Sequence, residues 1–150
     1  MPTALCCLVA MATALQPQTV PLHKLLSTCI DAAGRGCARI RSVQESGATD
    51  ATLKVEGDAK SALTAADLAA QAAVVGALSK AWPGLTIVGE EDEAALDEDH
   101  ELATPLDDSL LDWECTTSVD LAKARVFVDP LDGTREFVEG RLDAVQCLVG

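Results

Sequence analysis

Positive charge is scarce in this chain: 11 lysines and arginines stand against 24 aspartates and glutamates in 150 residues, a formal net charge of −13. That deficit excludes a nucleic-acid polymer or an anionic membrane surface as the principal partner, since both call for a basic face. No run reaches the roughly 18 to 20 consecutive apolar residues of a transmembrane helix. Histidine is also rare; His23 and His100 lie far apart and outside any motif, so surface or core roles are expected for both. The six cysteines, Cys6, Cys7, Cys29, Cys37, Cys115 and Cys147, have neither the paired spacing nor the neighbouring histidines of a zinc site, and they form no disulfide framework. Reduced thiols in a cytoplasmic compartment are the expectation. No internal repeat occurs, and the alanine richness of residues 59–77 follows from helix propensity.

What is present suits one domain: about half of the residues are apolar, enough for one ordinary core. Residues 1–20 read as an extension or a targeting segment. Their apolar stretch from Ala4 to Ala12 has the length of a signal-peptide core but lacks the basic residues that normally precede one. From Pro21, a first-turn proline, Leu22, Leu25, Leu26, Cys29, Ile30, Ala33, Cys37 and Ile40 recur at helical steps to about Val43. Gln44 to Lys60 is polar, carries Gly47 and Gly57, and reads as a loop or a short strand pair. A second helix is expected to start at the N-cap Thr64, with Leu68, Ala72, Val75, Leu78 and Trp82 on its buried face and Pro83-Gly84 as its stop. Leu85 to Val88 reads as a buried strand, residues 92–120 as an exposed excursion, and Ala124 to Val128 as a second strand. A short helix from Thr134 to Glu139 is stopped by Gly140, and a third strand spans Leu142 to Val149. The chain stops at Gly150 inside that apolar strand, so 21–150 is expected to be the N-terminal part of a domain whose C-terminal part is missing.

Chemistry concentrates in three acidic places. In Asp129-Pro130-Leu131-Asp132-Gly133-Thr134, Pro130 is expected to force a turn that aims both carboxylates and the Leu131 carbonyl at one point. Three hard oxygens on one loop suit magnesium or calcium. Gly133 and Thr134 open a helix, where outward amides favour an anion. Gly89-Glu90-Glu91-Asp92 ends a β-rich run, so parallel strands would bring it beside the first loop. Plainer readings exist for each: Asp-Pro and Asp-Gly are common turn dipeptides, Glu90-Glu91 is a solvated charge run, and Asp67 forms a capping box with Thr64.

Taken in order, Thr64-Ala65-Ala66-Asp67, Gly89 to Asp92 and Val128 to Thr134 resemble the inositol monophosphatase superfamily of lithium-sensitive, magnesium-dependent phosphomonoesterases. The continuation Arg135-Glu136-Phe137-Val138-Glu139-Gly140 resembles its 3′(2′),5′-bisphosphate nucleotidases, where a basic residue, an acid and an aromatic follow the threonine. Inositol monophosphatases tend to have Thr-Asn-Phe there and Gly-Glu-Glu-Ser at the earlier motif. The likeness covers about residues 58–150, with Pro21 to Val43 as the first helix.

The resemblance implies an α/β (mixed α+β) fold, the N-terminal portion of a layered αβαβα sugar-phosphatase sandwich. It implies that Glu90, Asp129 and the Leu131 carbonyl hold one Mg2+, and Asp129 with Asp132 a second. Asp67 would help to bind a third ion and, with Thr134, orient or deprotonate the attacking water, while the Gly133 and Thr134 amides cradle the phosphate. The implied reaction is direct in-line hydrolysis of a small phosphate ester without a phosphoenzyme, adenosine 3′,5′-bisphosphate giving AMP and phosphate. An inositol mono- or polyphosphate is the alternative substrate, and a non-catalytic metal-binding paralogue the alternative role. The family's later Trp-Asp metal ligand and its substrate-recognising C-terminal region have no counterpart in these residues, so little activity is expected of the 150 residues alone. Residues 143–147 also lack the Asn and Thr often found in that strand.

Overall fold

The structure of the chain, a computed structural model, describes residues 18–46, 51–53, 62–90 and 114–150. The elements run β1 (Thr19–Pro21), α1 (Leu22–Ser46), β2 (Ala51–Leu53), β3 (Ala62–Thr64), α2 (Ala65–Ala81), β4 (Thr86–Gly89), β5 (Ser118–Asp120), β6 (Arg125–Asp132), α3 (Thr134–Val138) and β7 (Gln146–Val149). Single 3-10 turns occupy Leu121–Lys123 and Leu142–Ala144. β6 is the centre of a three-stranded mixed sheet, parallel to β4 and antiparallel to β7. Two antiparallel pairs, β1 with β5 and β2 with β3, stand apart from it.

α1 and α2 pack on each other and against one face of this sheet. Leu25, Cys29, Ala32 and Ile40 form the buried stripe of α1, three to four residues apart or a multiple of that. Thr28, fully buried on the same helix, keeps its hydroxyl satisfied by donating to the Lys24 carbonyl at 2.9 Å. The buried face of α2 is the expected one only in part. Ala72 and Leu78 are buried and Trp82 packs against the core as expected, but Leu68 is 38% exposed, and Ala66, Asp67, Ala70, Gln71, Ala73, Val74 and Ala77 are buried as well. Small side chains let α1 approach α2 closely, and that gain outweighs burying the bulkier Leu68. Pro83-Gly84 does end α2: Leu85 N donates to Trp82 O at 3.0 Å across a turn in which Gly84 has φ +97.

Val74, Ala77 and Leu78 of α2 join Leu25, Cys29, Val126, Val128 and Leu121 in the main core cluster. A smaller cluster lies under the acidic loop, where Leu131 and Phe137 meet Ala66, Ala70 and Ile40. The other sheet face is uncovered among the described residues: Val88 is 40%, Phe127 58% and Leu148 42% exposed. β4 is therefore one-sided, not the buried strand its composition suggested.

Four further expectations change. Pairing of β1 with β5 draws Thr19 and Val20 into the fold ahead of Pro21, and Pro21 ends a strand where a first helical turn was expected. Residues 118–120, assigned to the exposed excursion, are the partner of that strand. Leu142–Ala144 form a 3-10 turn, so the last strand starts only at Gln146. Pro130 does not stop β6. The strand runs through to Asp132, with Asp129 opposite Leu148 and Asp132 opposite Gln146. Three steps on β6 against two on β7 make a β-bulge, which accepts a residue with no N–H to donate. The apolar stretch 4–12, His100, Glu91, Asp92 and most of the 92–120 segment lie outside the described residues, as does the side chain of Thr64.

Candidate metal and phosphate site

Parallel pairing does the first part of the assembly. Gly89 of β4 is level with Val128 of β6, and Glu90 N donates to Val128 O at 3.1 Å, so Glu90 emerges beside Asp129 at the carboxyl ends of two adjacent strands. The bulge does the second part. Pro130 and Leu131 are both buried, and the normal alternation resumes out of phase, leaving Asp132 exposed on the same loop as half-buried Asp129. Gly133 then turns the chain at φ +85 into the single turn of α3. A Cβ there would lie 2.8 Å from the Ala144 carbonyl oxygen, so glycine is required by both backbone angle and space.

Glu90, Asp129, Leu131, Asp132, Gly133 and Thr134 line one cavity of about 340 Å3, together with Arg135 and Glu136. Asp67 is absent from that lining. It is 1% exposed, lies behind the loop, and reaches the cavity through Thr134, whose Oγ1 is 3.5 Å from Asp67 Oδ2 and 3.0 Å from Leu131 O. One hydroxyl proton cannot serve both acceptors, and the shorter contact is the stronger bond.

The Asp129 carboxyl is pushed up to about 6, first by burial, then by the charges of Glu90 and Asp132 and by a hydrogen bond with Glu90; the Leu131 backbone acts in the opposite sense. Its Oδ1 is buried with no hydrogen-bond partner among the described residues. Crowded carboxylates with an unsatisfied buried oxygen are what a hard cation would relieve, and the donor set of carboxylate and carbonyl oxygens fits magnesium or calcium. Among the described residues, no three Asp, Glu, His or Cys side chains converge closely enough to hold an ion by themselves. The Leu131 carbonyl would therefore have to act as a ligand beside the carboxylates.

Three participants escaped the sequence reading. Gln71, one helical turn after Asp67 and 4% exposed, presses on Gly89: a Cβ on that glycine would lie 2.7 Å from Gln71 Oε1. The i, i+4 spacing from Asp67 was the available signal. Arg141 Nη2 binds Glu136 Oε1 at 3.0 Å and Arg141 Nη1 binds Glu139, while Arg135 Nε binds Glu139 Oε1 at 2.8 Å. This exposed network stiffens the rim of the cavity, and Glu136 is held below the usual carboxylate range by its own backbone amide and by Arg141. Cys147 sits in β7 between the ladder partners of Asp129 and Asp132.

Residues 22–148 match the sequence profile of the inositol monophosphatase family. Human 3′(2′),5′-bisphosphate nucleotidase 1 is 40% identical over 94 residues, 58% of this chain and 30% of that protein. The Dictyostelium discoideum protein of the same name is 32% identical over 140 residues, 89% of this chain and 43% of the relative. The crystal structure of extragenic suppressor protein suhB from Bartonella henselae aligns with a TM-score of 0.51 at 26% identity, over 77% of this chain and 36% of that one. The chain thus spans between 30% and 43% of the length of these two curated relatives. The matched span takes in the helix pair behind the sheet, the end of β4 and the whole acidic loop, and on that ground the chain belongs to the inositol monophosphatase family.

Proposed function

We propose that these residues supply the metal- and phosphate-handling part of a magnesium-dependent phosphomonoesterase of the 3′(2′),5′-bisphosphate nucleotidase type, which converts adenosine 3′,5′-bisphosphate to AMP and phosphate. The observation that carries the reading is the meeting of Glu90 and Asp129 at adjacent parallel strand ends, with the Leu131 carbonyl and the Thr134 hydroxyl on the same cavity. The family is one of phosphatases and its members are generally metal-dependent. The nucleotidase names of the relatives and the Arg135-Glu136-Phe137 continuation favour a nucleotide bisphosphate over an inositol phosphate.

Glu90, Asp129, Asp132 and the Leu131 carbonyl would hold magnesium. Bound there, it would neutralise charge on the phosphate oxygens and lower the pKa of the attacking water. The chain's own part is positioning. With the Leu131 carbonyl engaged as a ligand, Thr134 Oγ1 would turn its proton from that carbonyl to Asp67, which is shielded from solvent, and accept a hydrogen bond from the water. Gly133 and Thr134 amides would hold the phosphate; α3 has only five residues, so these local donors matter more than any helix dipole. With the nucleophile, phosphate and leaving oxygen in line, little else is asked of the protein.

A longer protein carrying these residues should release phosphate from adenosine 3′,5′-bisphosphate in magnesium at a kcat/KM at least about tenfold above that for inositol 1-phosphate, a preference worth about 1.4 kcal/mol. The opposite ratio would transfer the assignment to inositol phosphates. The relatives are more than twice as long, so the 150 residues alone are expected to bind magnesium while turning over little substrate. Calorimetric titration separates this from a turn with no metal role: unchanged magnesium binding in both Asp129→Ala and Asp132→Ala would remove the metal site.

A further inference from the structure

A second cavity of about 300 Å3 opens between α1 and β7, sharing no lining residue with the first, and both Cys37 and Cys147 line it, with Ile40, Arg41, Gln44 and Gln146. The helix and strand are pressed together here by Gly36, where a Cβ would lie 2.8 Å from Cys147 Sγ and 2.9 Å from the Val74 side chain. Gly36 directly precedes Cys37, so this close approach brings the two cysteines together on the cavity wall, where burial pushes the Cys147 thiol up to about 12. Both are half-buried, so a small molecule entering the cavity can touch them. The other described cysteines are placed differently: Cys29 is buried in the main core, and Cys115 contacts its own neighbour, the Thr117 carbonyl.

Two thiols facing one another from different elements, in an opening wide enough for a peptide-sized reagent, are set up for disulfide exchange. We propose that Cys37 and Cys147 are a thiol-disulfide modification site, oxidised by a low-molecular-weight disulfide such as oxidised glutathione to an intrachain bridge that ties α1 to β7. The Cys37 thiolate attacks one glutathione sulfur, forming a mixed disulfide and releasing one glutathione. The Cys147 sulfur then attacks the Cys37 sulfur, the first bridge breaks, and the second glutathione leaves. Two protein thiols lose two electrons and two protons, and both pass to the two glutathione molecules released. Arg41, one turn after Cys37, places a positive charge where the carboxylates of glutathione would enter. Both cysteines line one opening, so only a local displacement separates them from a bond of about 2.05 Å.

The test needs no assumption about catalysis. The folded chain of residues 1–150 is incubated with oxidised glutathione, quenched with an alkylating reagent and digested with trypsin without reduction. The expected product is the peptide from Gly36 to Arg39 joined to the peptide from Leu142 to Gly150, lighter than their sum by two hydrogens and separated by dithiothreitol. Formation should be at least about tenfold faster than in urea, where contact between the two positions is lost. Recovery of both peptides alkylated or only glutathione-capped, pairing with Cys29 or Cys115 instead, or equal yield in urea would overturn the proposal. Cys37→Ser and Cys147→Ser should each abolish the linked product, and if either variant fails to fold, the peptide map of the unmutated chain decides alone.

Discussion

Asp129 shows how one side chain can be disfavoured by its own fold. Its ordinary value of 3.8 is pushed up to about 6, so the folded chain holds that proton more tightly than the unfolded chain does. The sign follows: without a cation, Asp129 contributes most to stability below its ordinary value, and that contribution is lost as pH rises through the interval up to about 6. Asp129→Asn removes the ionisation, so its stability in EDTA should improve relative to the parent chain between about pH 4 and pH 7, as measured by urea denaturation. The same substitution should weaken magnesium binding by at least about tenfold, or 1.4 kcal/mol. In the parent chain, magnesium held by Asp129 would have to displace a proton at low pH, so its apparent affinity should fall as pH drops below about 6; isothermal titration at two pH values reads this directly. In a longer, active protein carrying these residues, Thr134→Ser should keep most activity and Thr134→Val should lose it, because only the former can donate to Asp67. Equal kcat for the two variants would remove the relay.

At the scale of elements, the bulge in β6 and the turn at Gly133 set the acidic loop, and both depend on backbone rather than on side-chain character. Gly133→Ala meets a left-handed φ of +85 and the Ala144 carbonyl together. A loss of about 1 to 3 kcal/mol is expected, seen as a Tm lowered by several degrees. Gly89→Ala would displace the buried Gln71 side chain and tilt the end of β4, so magnesium affinity should fall more than stability does. Leu78→Ala is the contrast: fully buried in the main core and remote from the cavity lining, it should cost about 2 to 5 kcal/mol with no change in magnesium affinity once folded protein is selected. The helices show what periodicity can and cannot give. The apolar repeat of α1 was legible because its buried positions differ strongly from its exposed ones. α2 is so uniformly apolar and alanine-rich that its pattern carries little direction, and only packing on α1 shows that Ala70, Ala73, Val74 and Ala77 are buried and Leu68 is not.

For the whole molecule, the notable surface is the open side of the β4-β6-β7 sheet. Val88, Phe127 and Leu148 are exposed there, and no described residue covers them. An apolar strip of this kind promotes association. The purified chain should bind a hydrophobic dye, and Phe127→Ser should reduce dye binding at a cost below about 1 kcal/mol, since the residue is already 58% exposed. Unchanged dye binding would show that this face is covered. A net charge of −13 pulls the other way, opposing self-association and keeping anionic ligands at a distance unless a cation intervenes.

The sequence alone determined which hard-oxygen donors the chain offers and their order along it. Asp67, Glu90, Asp129, Asp132 and Thr134 could be picked out as candidates because such donors, a proline and a glycine at fixed spacing are local facts, as are the positions where α2 stops and α3 begins. Tertiary structure decided what those residues face. Placement of Glu90 beside Asp129 needs the parallel register of β4 and β6; the raised Asp129 carboxyl needs burial and two neighbouring charges; the retreat of Asp67 behind Thr134 needs α2 to pack on the loop. Gln71 and the approach of Cys37 to Cys147 were invisible for the same reason. Each depends on residues distant in sequence being brought within a few ångströms, and that closeness is a property of packing.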